Sequence, residues 1–110
     1  MTRPYTRFSE QAMLSVNTTT RPFGVILDIV SDSEHTATFP HGAGLIMFNT
    51  PIEVYWSTIS GGVDQADTHP DKIYWSGGWF FMNVMEPVTA LYFKPKNSGE
   101  TGRVHFLIGD

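Results

Sequence analysis

Acid–base or metal chemistry in this chain would have to come from four histidines, His35, His41, His69 and His105, and eleven acids. A catalytic metal in a small β-barrel takes two or three imidazoles from adjacent strands or at close spacing. No pair of these histidines stands at i, i+2 or i+4. His41 and His69 sit beside Pro40 and Pro70 in polar stretches, where a solvated imidazole needs no special role. Asp64, Asp67 and Asp71 could offer oxygens to a hard cation such as Ca²⁺, but EF-hand ligands recur at alternate positions, and this spacing is wider. There is no nucleophile elbow, phosphate loop, zinc-protease helix or dinucleotide fingerprint. No acid stands beside a feature that would raise its pKa for glycoside chemistry. The sequence therefore nominates no catalytic residue, no metal ligand and no cofactor, and the expectation is a protein that is not an enzyme.

The aromatic residues form the denser pattern. Tyr74, Trp75, Trp79, Phe80 and Phe81 fall within eight residues, and Tyr55-Trp56 and Tyr92-Phe93 add adjacent pairs. Neighbours on a strand point to opposite faces, so each adjacent pair must split between core and outside. Aromatics left outside suit a protein interface, where they are enriched while Lys and Glu are depleted. The interface residues expected on this basis are Tyr55, Tyr74, Trp75, Trp79 and Tyr92, joined by Arg3, Arg7 and Phe8 near the N-terminus. Two other readings stay open. The rings could form a stacking platform in a carbohydrate-binding module, although no Asn, Asp or Gln cluster accompanies them in sequence. They could also be half covered by loops, which requires no function.

The elements that must position these residues are short strands. Residues 24–30 alternate Val25, Leu27 and Ile29 against Ile26, Asp28 and Val30. Residues 35–39 read as a second strand, broken by Pro40 and by the glycines at 42 and 44. Residues 45–50 form an apolar third strand. Residues 52–57 place Ile52, Val54 and Trp56 on one face, with Glu53, Tyr55 and Ser57 on the other. An acidic, Gly-led loop over 61–70 precedes a three-stranded meander of 72–76, 79–84 and 89–94, turning at Gly77-Gly78 and breaking at Glu86-Pro87. A last strand over 103–108 turns Val104, Phe106 and Ile108 inward and His105 and Leu107 outward. About eight strands with almost no helix predict an all-β domain: an antiparallel β-sandwich of jelly-roll or immunoglobulin-like connectivity over 22–110.

Residues 1–21 read as an extended N-terminal arm, with one short helical turn possible over 10–14 behind Ser9. Arg3, Arg7 and Arg21 against Glu10 give the arm +2, while residues 22–71 hold seven acids and no Lys or Arg. Such a pair can attract within or between subunits. No basic stripe favours nucleic acid. The absence of cysteine excludes disulfides and thiolate metal sites. Charged residues reach only 16%, below the usual quarter of a soluble domain, consistent with a surface partly covered by a partner. No signal peptide or bilayer-length apolar run is seen. The expectation is a soluble homo-oligomer made in a cytoplasm, with no membrane partner.

Residues 88–110 (VTALYFKPKNSGETGRVHFLIGD) run from a strand ending in lysine, through a Gly/Ser-rich turn, to a short apolar last strand. This segment resembles the closing hairpin of small β-sandwich virion proteins of tailed bacteriophages. The cysteine-free, charge-poor, Trp-rich body and the arm are similar in character to capsid decoration and head-to-tail accessory proteins. The resemblance implies a structural virion component, made in the host cytoplasm, that binds a capsid or tail surface and acts through subunit interfaces. It assigns no site residue.

Overall fold

The structure, a computed structural model, describes residues 23–109. The short helical turn expected over 10–14 lies outside them. Six strands form one antiparallel sheet: β1 (Phe23–Ile29), β2 (His35–Thr50), β3 (Val54–Ser57), β4 (Ile73–Trp75), β5 (Gly78–Pro95) and β6 (Gly102–Gly109), in the order β1-β6-β2-β5-β3-β4. The only helical element among the described residues is a 3-10 turn, Gly62–Asp64. The all-β expectation holds, and six strands replace the eight expected because two pairs of predicted strands are continuous. Residues 35–39 and 45–50 are the two ends of β2, and 79–84 and 89–94 are the two parts of β5.

The Pro/Gly breaks are bends within strands rather than strand ends. From Thr38↔Ala90 to Ala43↔Val88, β2 advances five residues while β5 advances two. From Ala43↔Val88 to Leu45↔Asn83, β2 advances two and β5 five, so the two bulges cancel and the original register returns. Gly42 makes this possible. Its φ is +73°, and a Cβ there would stand 2.9 Å from Cβ of Pro87 on the opposing bulge. Between the bulges the strands turn back sharply. His35, which pairs with Phe93, lies thirteen residues before Phe48 on β2, roughly 43 Å along a straight strand. Yet the Phe48 and Phe93 ring centroids are 5.2 Å apart.

The sheet is thus folded on itself into a half made of β1, β6 and the adjoining parts of β2 and β5, and a half made of the remaining parts of β2 and β5 with β3 and β4. Phe48 stands between them, within 5.1–5.8 Å of the rings of Phe80, Phe93, Phe106 and Trp56. Around it lie buried Ile29, Phe39, Ile46, Val54, Leu91, Val104 and Ile108. Of the two faces that alternation separates on 24–30 and on 52–57, those of Val25, Leu27 and Ile29 and of Ile52, Val54 and Trp56 turn to this core, as does the inward set expected on 103–108.

The meander is a correction. Gly77 and Gly78 do take positive φ, at 108° and 83°, and reverse the chain. However, β4 pairs with β3, and residues 78–83 of β5 pair with β2, so the two strands flanking the glycines do not pair with each other. Tight-turn chemistry fixes a reversal but not the partner. Here the core side chains Trp75 and Phe80, with ring centroids 5.1 Å apart, hold the segments across a corner instead.

Phe48→Ala should cost about 3–5 kcal/mol in denaturant unfolding, because it empties the point where both halves meet. Ile26→Ala, on an exposed site, should cost well under ~1 kcal/mol. Equal losses would contradict this placement of the core.

Candidate functional site

Each half has an outer face, and the two differ in chemistry. On the half built from β3 and β4, Tyr55 lies opposite Tyr74 and Lys94. The Tyr55 and Tyr74 rings meet edge to face at 6.2 Å. The Lys72 ammonium sits 4.1 Å from the Tyr55 centroid and 2.7 Å from Asp67. Lys94 pairs with Asp64 at 2.9 Å. The Tyr74 hydroxyl donates to Glu53, which also accepts from Asn97 Nδ2 at 3.2 Å. Lys96 lies 5.8 Å over the Tyr74 ring. The loop between β3 and β4 closes over this side: the 3-10 turn brings Val63 to full burial and sets Gly62 against the Ser57 hydroxyl. Ser57 is therefore on the outward side, as alternation requires, yet completely buried. This face has already spent its rings and charges on one another.

Carboxylates also tie the loops at this end. Asp32 accepts from Gly99 N at 2.9 Å and Ser98 Oγ at 2.7 Å, and Glu34 accepts from Gly61 N at 2.8 Å. The Gly99 amide, with Ser98, holds the Asp32 carboxyl below its ordinary value of 3.8. Tyr74 lowers Glu53, Lys72 lowers Asp67, and Arg103, bonded through Nε at 2.7 Å, lowers Asp28. The Glu53 bond raises Tyr74 in turn.

The other outer face belongs to the four strands β1, β6, β2 and β5. Register alone builds it. Gly24, Leu107, Met47 and Phe81 stand in one row across the four strands, and Ile26, His105, Asn49 and Trp79 in the next. Leu45 lies beyond, and Asp28 with Arg103 closes the far margin as an internal ion pair. Leu45, Met47, Phe81 and Leu107 form a second apolar cluster on the side of the sheet opposite Phe48. Ile26 is 56% and Trp79 59% exposed. Between the margins these rows hold no Lys, Asp or Glu. A sheet face that is apolar, aromatic and charge-poor in its middle has the composition of an interface centre.

The residues singled out in sequence are thus divided. Trp79 lies on the charge-poor face. Tyr55, Tyr74 and Tyr92 lie on the outer side of the other half, with Tyr92 opposite Ser57. Trp75 turns to the core edge, where its Nε1 donates to the Gly78 carbonyl at 3.2 Å. Arg3, Arg7 and Phe8 lie outside the described residues. Sequence reading left out Ile26, Leu45, Met47 and Leu107. Their signal was present as apolar side chains at outward positions of alternating strands.

Among the described residues no group of three or more His, Asp or Glu is placed to hold a metal ion, and no helix is long and apolar enough to cross a membrane. Asp64 and Asp67 of the acidic loop are engaged by Lys94 and Lys72. No protein-family model matches the chain, and no curated protein matches it.

The lowered carboxyls give a signed pH dependence. Their pKa values in the folded chain lie below the unfolded values, so they add stability above the ordinary carboxylate range, and this is lost as pH falls through the folded values. Asp32→Asn should lower stability at neutral pH and flatten the loss below about pH 4. An acid unfolding profile identical to that of the unaltered chain would contradict the role of Asp32.

Proposed function

We propose that this chain is a structural assembly module, not an enzyme, that works by burying the outer face of its four-stranded half against a protein subunit. The observation that carries the reading is the contrast between the two outer faces. One has its aromatics engaged by lysines and is partly covered by its own loop, with Tyr74 still exposed. The other presents Ile26 and Trp79 beside half-buried Met47 and Leu107, with charge only at the margin. Covering apolar area yields about 25 cal/mol per Å² before the cost of association, so the charge-poor face is the one with most to gain. The fold-back of the sheet supports a sandwich-type body. The resemblance of residues 88–110 to the closing hairpin of phage virion proteins supports a setting such as a capsid or tail surface, with the chain itself as the first partner.

One observation favours a second reading, a carbohydrate site on the same face. Trp79, Asn49 and His105 share a row, so an exposed indole has an amide and an imidazole beside it. Sequence spacing does not show this company, because the three residues come from different strands. A glycan that quenches or enhances tryptophan emission, with the response lost in Trp79→Ala, would select that reading over the first.

Ile26→Glu or Trp79→Glu should leave the far-ultraviolet circular dichroism of the folded chain intact and shift its mass in light scattering from oligomer to monomer. Tyr74→Glu, on the other face, should leave the mass unchanged. Equal effects from both faces, or a wild-type chain monomeric throughout the micromolar range, would count against self-assembly through this surface.

A further inference from the structure

The charge-poor face is small for a stable contact between two rigid bodies. Four strands at ~4.8 Å by about five residues at ~3.4 Å give roughly 19 × 17 Å. That is ~320 Å² in projection; even doubled for side-chain relief it falls short of the ~800 Å² each partner contributes to a standard interface. A face of this width fits an extended segment laid across the strands. We propose that the segment is residues 1–22 of a neighbouring copy, which rests on the assembly reading and names the partner within it.

Three features of the chain fit that occupant. The first is length: twenty-two residues reach up to ~75 Å when extended, against ~19 Å to cross the four strands, so one copy can span to the next. The second is composition. Tyr5, Phe8, Met13, Leu14 and Val16 supply apolar side chains for the half-buried Met47 and Leu107 and the exposed Ile26 and Trp79. The third is charge. The segment sums to +2 through Arg3, Arg7 and Arg21 against Glu10, and the chain's −4 leaves −6 on the rest. Opposite net charge therefore draws arm and body of different copies together at long range, with a strength that falls with salt, while contact on the charge-free rows themselves is apolar.

The chain has no cysteine, so introduced thiols report without background. Full-length Phe8→Cys and Met47→Cys proteins would be mixed and allowed to exchange subunits. Under mild oxidation, disulfide-linked heterodimer should form at least about tenfold faster than in a mixture of Phe8→Cys with Tyr55→Cys, whose thiol lies on the other face. Equal rates in the two mixtures would overturn the proposal. So would a Phe8→Cys/Met47→Cys double variant that closes its disulfide only within a monomer. Light scattering of the unaltered chain separates this result from the broader reading. An oligomer without the preferential cross-link removes the arm and keeps assembly, whereas a monomer removes both.

Discussion

The fold depends on two long strands remaining paired while both reverse direction. That is possible only because the slip in β2 is matched by an equal slip in β5, so hydrogen bonding resumes in the same register beyond the bulge. A single uncompensated bulge would move every later side chain of one strand to the wrong face of the sheet. The three extra residues in the β2 bulge shift its alternation so that Ile46 and Phe48 join Ala37 and Phe39 on the core side. The matching slip in β5 does the same for Phe80 and Met82 with Leu91 and Phe93, and the reversal then brings the two apolar surfaces together on Phe48. The left-handed Gly42 against Pro87 is the local device, and the aromatic cluster is what it serves.

Once the sheet is folded in this way, each half is left with one outer face, and the loops decide what becomes of it. The loop after β3 is long enough to cover its own side, and the buried Val63 and Ser57 show that it does. Lysines from the loop and from β5 then neutralise the acidic stretch, which explains how so many acids can crowd one end of a small domain. The four-stranded half has no comparable loop among the described residues. Its connections, the turn after β1 and the loop before β6, are drawn together by Asp32 with Ser98 and Gly99. The asymmetry between the faces is therefore built into connection length.

Much of the core was legible in sequence, because alternation over 24–30, 52–57 and 103–108 separates inward from outward residues without knowledge of pairing. The split of Tyr55 from Trp56 and of Tyr92 from Phe93 follows from the same rule. The bend was legible only as a break: Pro40, Gly42, Gly44 and Pro87 mark where the ladder fails, but whether it resumes depends on a partner strand some forty residues away. The same limit affected the Gly77-Gly78 turn, where a sound reversal signal was given the nearest partner. Rows such as Trp79, Asn49 and His105 arise from three strands and are invisible along one. The aromatics most crowded in sequence were consequently divided between faces, with Trp79 and Phe81 on the charge-poor face and Tyr74 on the other. Ile26 and Leu107 were outward residues of the charge-poor face which crowding did not mark.

On the proposed function, assembly desolvates the four-stranded face and leaves the tyrosine face wet. Hydroxyl-radical footprinting of the unaltered chain across a concentration series measures both in one sample, with the fully exposed Met85 as internal reference. Oxidation of Trp79 and Met47, relative to Met85, should fall as mass rises, while that of Tyr74 stays constant. Protection of Tyr74 with Trp79 and Met47 unchanged would place the interface on the opposite side and contradict the account.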